Sequence, residues 1–121
     1  MSPINKKKLN IIRVKLDKLD NKLLSLIKYR TGLVKEVLKL KEFKKEIVDQ
    51  KRIDFILNKI KGKSKKLKID PKITNRIWKN MIWSYIDFER RNFKKKIIIY
   101  CEVEVFFPQK FHVFWLQDYI F

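Results

Sequence analysis

Arg30 is the residue whose position in the sequence most clearly indicates a functional role. It is the only polar member of a helical seam of leucines, isoleucine and valine, lying between Leu26 and Leu33. A buried guanidinium needs an anionic partner, because an unpaired buried charge is costly. No acidic residue lies three or four positions away, so the anion must come from elsewhere. It is either a bound ligand or an acidic residue of a later segment that forms a structural salt bridge.

Two further residues could act on such a ligand. Lys41 lies 11 residues after Arg30, on roughly the same helix face and about 16 Å further along. The two cations together could bracket a small dianion, although each alone fits a solvated helix face. Glu89 lies four residues after Tyr85 on an apolar face. A carboxyl there can stay protonated and donate a hydrogen bond; the alternative is an exposed glutamate paired with a nearby Lys or Arg.

Arg13 has a different geometric relation to this set. It precedes Arg30 by 17 residues, which is about 25 Å along one helix. From the same straight helix it cannot reach the same small ligand. If Arg13 contributes to the site, it must come from a second chain that runs antiparallel.

Three helical segments would position these residues. The apolar 3–4 spacing predicts one long helix over about residues 5–42, which must pack against another chain or a long partner. A shorter helix is predicted over about 49–62, followed by a basic loop at 61–68. The third opens with Asp70-Pro71, an N-cap followed by a helix-starting proline, and runs to Phe93.

The last 25 residues differ from the rest. Residues 97–121 hold 8 of the 16 aromatic residues and carry a net charge of −2, against +20 for residues 1–96. Cys101, Val103 and Val105 alternate with two glutamates, which indicates a strand, and a turn is predicted at 108–110. We therefore divide the chain into a helical domain, 1–96, and an aromatic extension, 97–121. A β-hairpin, an added interaction segment and sequence with no evolved fold all stay open for the extension.

Composition excludes several classes of protein. One Cys and one His rule out a disulfide framework and a Cys/His zinc cluster, and two Gly exclude glycine-rich phosphate loops. No apolar run could span a bilayer and no signal-peptide core is present, so we expect a cytoplasmic protein without a membrane partner.

The net charge of +18 invites a nucleic-acid interpretation. However, Lys supplies 25 of the 31 cations, Ile occurs 17 times and Ala is absent, a pattern typical of AT-rich codons. We therefore expect no nucleic-acid partner, and a positive field that attracts a small anionic substrate.

The combined spacing resembles that of the all-helical, type II chorismate mutases over about residues 5–96. The residues that carry the resemblance are Arg13, Asp20, Leu23, Arg30, Lys41, Asp49, Arg52, the Asp70-Pro71 helix start and Glu89. The resemblance implies an all-α fold, with a three-helix protomer whose first helix is very long. It also implies an intertwined homodimer in which the partner subunit donates Arg13. This agrees with the distance between Arg13 and Arg30 along one helix, which is too long for both to reach one small ligand.

The resemblance also implies a role for each residue. Arg13 and Arg30 would hold the two carboxylates of chorismate, while Lys41 and Glu89 would contact the ether oxygen whose bond breaks. No cofactor or metal is implied. The other implied substrate-binding residues are Asp49 and Arg52, which frame the ring hydroxyl and support the cations, and Tyr85, which lines the pocket.

One departure from the family pattern is shared with a second, related class of enzyme. Ile53 follows Arg52, where the family usually has a glutamate that contacts the substrate hydroxyl. The related isochorismate-pyruvate lyases have an aliphatic residue there and an aromatic-rich third helix somewhat like the one around Trp83, but they lack the aspartate found here at position 49. The mutase is favoured, with the lyase and a non-enzymatic basic nucleic-acid-binding protein as alternatives.

Overall fold

The structure is a computed structural model that describes residues 1–94, 96–104 and 107–117. The chain forms two compact units, Met1–Lys35 and Glu36–Phe121. The all-α class and the three helices predicted for the first part of the chain are confirmed. Within the described residues, no helix combines the length and apolarity that a membrane crossing requires.

The first helix, α1, runs from Pro3 to Leu40, within two residues of each predicted end. Not one of its 38 residues is buried. Apart from Leu9, which is half-buried, the apolar seam that the sequence predicts is exposed along the first unit, from 44% at Leu33 to 64% at Leu26. An amphipathic helix normally buries such a stripe, so this face of α1 is available for packing against another surface.

Helix α2 runs from Gln50 to Lys66, one turn further than predicted. Its N-cap is Asp49, as the sequence indicates. Gly62 does not end it, so most of the predicted basic loop is helical. The helix ends instead at Lys66, and Lys68, two residues later, has a φ of 58° in the left-handed region. The Lys68 N–H donates to the Lys65 carbonyl and the Ile69 N–H to the Ser64 carbonyl, the pair of hydrogen bonds of a Schellman motif.

Helix α3 runs from Pro71 to Asn92 and begins as predicted. The Asp70 carboxylate accepts a hydrogen bond from the Lys72 N–H at 3.0 Å, and Pro71 occupies the first turn. The core of the second unit lies between α2, α3 and a 3₁₀ turn, Lys44–Ile47. Its buried apolar side chains are Ile47, Ile53, Ile82, Ile86 and Phe93.

Two buried hydroxyls also tie α2 to α3. Ser64 Oγ lies 2.7 Å from Thr74 Oγ1 and donates to the Ile60 carbonyl at 2.6 Å. Thr74 Oγ1 also donates to the Pro71 carbonyl at 3.3 Å, and either hydroxyl can be the donor between the two side chains. This polar contact fixes the register of the two helices.

The extension forms two antiparallel strands, β1 (Lys96–Glu104) and β2 (Phe107–Gln117). The predicted turn at 108–110 is wrong, because Pro108 lies inside β2. A proline is tolerated there since both strands of a two-stranded ribbon are edge strands. Val105, which the alternating pattern included in a strand, lies outside the described residues.

Candidate functional site

An ion pair between Lys41 and Glu89 is the central feature of the second unit. Lys41 Nζ donates to Glu89 Oε1 at 2.8 Å, and the two side chains are only 17% and 8% exposed. The pair joins residues 48 positions apart. Lysine and glutamate side chains are rarely this buried, even in pairs. We therefore treat this pair as the centre of the candidate functional site.

Lys41 is held by the segment that immediately follows α1. Its backbone N–H donates to the Leu38 carbonyl at 3.1 Å. The Glu46 carboxylate then accepts the Glu42 N–H at 3.1 Å, and Ile47 inserts into the core with only 3% of its surface exposed. Ile47 therefore anchors the chain that carries Lys41. No sequence pattern above predicts this role, although an isoleucine directly after the charged run Lys44-Lys45-Glu46 is a usable signal.

Glu89 is held on the buried face of α3. Ile82 and Ile86 precede it by two turns and one turn, Phe93 follows by one turn, and all three are buried. The structure combines features of both interpretations of this glutamate. Its carboxyl is buried on the apolar face, as the hypothesis of a hydrogen-bond donor on that face predicts. It also pairs with a lysine, as the alternative hypothesis of a salt bridge predicts.

The pair offers two kinds of hydrogen-bonding chemistry. The Lys41 ammonium has three N–H donors, of which the contact with Glu89 uses one. A protonated Glu89 would add an O–H donor beside it, whereas an ionised Glu89 would only accept. Two donors side by side in a poorly hydrated place are suited to stabilising negative charge that develops on one oxygen atom.

The other predicted residues of this unit lie on α2 and α3. Asp49 is exposed, and its carboxylate accepts the Arg52 backbone N–H at 3.0 Å, so it acts structurally as the N-cap of α2. The Arg52 guanidinium lies over the Phe55 ring, with Cζ 5.3 Å from the ring centroid. Tyr85 is half-buried, one turn before Glu89.

The remaining two predicted residues, Arg13 and Arg30, lie in the first unit. Arg13 is exposed and Arg30 half-buried. Both belong to α1, about 25 Å apart along its axis. One chain therefore does not bring these two guanidinium groups to the same small ligand.

Ile53, the departure from the family pattern, is a core residue. It is buried and packs in the cluster with Ile47, Ile82 and Phe93. Packing alone is a sufficient reason for an aliphatic side chain at this position. Its apolar character therefore says little about substrate choice.

Comparison with known families covers most of the helical part of the chain. The family model for chorismate mutase type II matches residues 12–90. This range contains every predicted site residue, from Arg13 to Glu89, and stops before the strands. The chain belongs to the chorismate mutase type II family. No curated protein and no solved structure matches it.

Proposed function

We propose that this protein is a homodimeric chorismate mutase that rearranges chorismate to prephenate. The observation that carries the proposal is the buried Lys41–Glu89 pair, in a chain whose residues 12–90 match the family. The pathway served is the biosynthesis of aromatic amino acids, and we expect the enzyme to act in the cytoplasm.

The reaction suits this set of side chains because it is intramolecular. The ether C–O bond breaks while a C–C bond forms within the same molecule, so no nucleophile, external oxidant or net proton transfer is required. Catalysis then consists of holding the compact conformer and stabilising the charge that grows on the ether oxygen. Lys41 donates a hydrogen bond to that oxygen, and Glu89 donates a second one in its protonated form.

Two arginines supply the conformational control. Arg13 and Arg30 each form bidentate contacts with one carboxylate of the substrate. Arg52, Asp49 and Tyr85 support and line the site. Because one α1 helix separates the two arginines by about 25 Å, Arg13 acts on the site of the partner subunit.

The exposed seam of α1 supports the dimer. Its half-exposed leucines repeat with the spacing of a coiled-coil interface, and burying each against a second copy would contribute about 1 kcal/mol. A long antiparallel contact would bring Arg13 of one chain toward Arg30 of the other. Size-exclusion chromatography with light scattering should therefore give twice the chain mass; a stable monomer would contradict the proposal.

A turnover assay tests the activity. Purified protein mixed with chorismate should remove its ultraviolet absorbance and yield prephenate. Arg30→Ala should abolish turnover while leaving the helical circular dichroism intact. Absence of turnover by the wild type would contradict the proposal.

The second candidate is an isochorismate-pyruvate lyase. Since Ile53 is explained by core packing, the remaining feature in its favour is the exposed Trp83 on α3. Pyruvate release from isochorismate discriminates between the two enzymes. Weak mutase activity alone would not, because the two reactions share a pericyclic character; the comparison must be of kcat/KM for each substrate.

A further inference from the structure

Phe55 is an exposed aromatic residue that carries a cation on each side along α2. Its side chain lies outside the core and is 53% exposed. Arg52, three residues earlier, places Cζ 5.3 Å from the ring centroid, and Lys59, four residues later, places Nζ at 5.7 Å. Core packing within one chain does not explain a phenylalanine at this position, whereas the two cations do.

The contact with Arg52 restricts a side chain that is otherwise very mobile. The planar guanidinium stacks on aromatic faces, and such a contact at an exposed site shifts an equilibrium about two- to fivefold. The other end of the residue is fixed as well, because the Arg52 backbone N–H donates to the Asp49 carboxylate at 3.0 Å. The arginine is thus held at its backbone by the helix cap and at its guanidinium by the ring.

We propose that Phe55 is a positioning residue that holds the Arg52 guanidinium in its substrate-binding orientation. The inference rests on the proposed function, in which Arg52 supports the bound dianion. By limiting the conformers of Arg52 before the substrate arrives, the ring lowers the entropy lost on binding. Phe55 itself touches no reacting atom, so its effect is on affinity rather than on the chemical step.

Substitution of the ring tests this role. Phe55→Leu keeps an apolar side chain but removes the π face, and it should raise KM for chorismate about two- to fivefold with kcat little changed. Phe55→Trp, which has the stronger π face, should restore the wild-type KM or lower it. In an Arg52→Ala background, Phe55→Leu should have no additional effect.

Phe43 provides a matched control. It is also exposed, at 57%, and carries the Lys45 ammonium 5.6 Å from its ring centroid. Phe43→Leu should leave KM unchanged, and urea unfolding should show equal stability for both leucine variants. A wild-type KM in Phe55→Leu, failure of Phe55→Trp to restore it, or an undiminished effect without Arg52 would overturn the proposal.

A second readout separates this inference from the proposed function. The ring current of Phe55 should shift the NMR signals of the Arg52 side chain, and the shift should disappear in Phe55→Leu. If the wild type turns over no chorismate while the shift is present, the proposed function fails and the positioning role falls with it. If turnover is normal and the shift is absent, only the positioning role is overturned.

Discussion

Removing one member of the Lys41–Glu89 pair should destabilise the protein strongly. The variants are Lys41→Met, Glu89→Leu and the double substitution, each of which keeps an apolar side chain of similar size. In the single variants one buried charge is left without its partner, whereas in the double variant no charge is left. The comparison therefore separates the cost of an unpaired charge from the net contribution of the pair.

The expected magnitudes follow from the burial of the two side chains. Loss of one partner of a buried ion pair costs about 3–5 kcal/mol, whereas replacing both with apolar groups is often neutral or stabilising. Lys41→Met leaves the carboxyl that is 8% exposed, and Glu89→Leu leaves the ammonium that is 17% exposed. The first should therefore cost more, toward the upper end of that range, and the double variant about 1 kcal/mol or less.

Urea unfolding followed by far-ultraviolet circular dichroism measures these free energies. All variants must be compared at one protein concentration, since stability of a dimer depends on concentration. The Arg91–Asp87 pair is a matched control, because it has a similar 3.0 Å contact but side chains that are 65% and 68% exposed. Arg91→Ala should cost about 0.5 kcal/mol.

Two results would refute the reasoning. Single variants at Lys41 and Glu89 that cost no more than the surface control would mean that the pair is not buried in solution. A double variant whose cost equals the sum of the singles would mean that the two residues do not interact. A double variant that is stable yet inactive toward chorismate would separate the catalytic role of the pair from folding.

Three further predictions concern stability, the donor role of Glu89 and salt. Lys68→Gly should raise the free energy of unfolding, measured in urea, by about 1 kcal/mol, because glycine adopts the left-handed φ without strain. Lys68→Ala keeps a Cβ and should give no such gain. An equal gain in both variants would contradict this account. Glu89→Gln keeps a side chain that can donate a hydrogen bond to the ether oxygen, so it should retain turnover of chorismate, whereas Glu89→Leu should abolish it. An equal loss of turnover in both variants would count against the donor role. The KM for chorismate should rise with added salt, because the net charge of +18 attracts a dianion and salt screens that attraction. A KM independent of salt would show that the net charge plays no part in substrate binding.

Local signals in the sequence predicted the helices well. The start of α3 follows from Asp70 as N-cap and Pro71 in the first turn, both of which act through their immediate neighbours. The predicted end of α2 is wrong, because Gly62 is a local signal for a helix end that the structure does not follow. The helix ends at Lys66, just before the left-handed Lys68, and a lysine is not a residue type that predicts this conformation.

The site was harder to predict because its contacts are not local. Periodicity placed Glu89 on an apolar face, but it could not assign Lys41, 48 residues away, as its partner; only the family resemblance placed both at one oxygen. The same limit applies to Ile47 and Phe55. The burial of Ile47 depends on α2 and α3 together, and the two cations on the Phe55 ring depend on rotamers that spacing does not fix.

A hybrid dimer gives the most direct test of the central claim that two chains share each active site. Chains carrying Arg13→Ala and chains carrying Arg30→Ala are co-expressed with different tags, and the mixed dimer is isolated. Each homodimer should be inactive, because every site lacks one arginine. The hybrid should recover about half of the wild-type turnover of chorismate, since one of its two sites receives both arginines. A hybrid as inactive as the two homodimers, beside an active wild type, would show that both arginines act within one chain and would contradict the account.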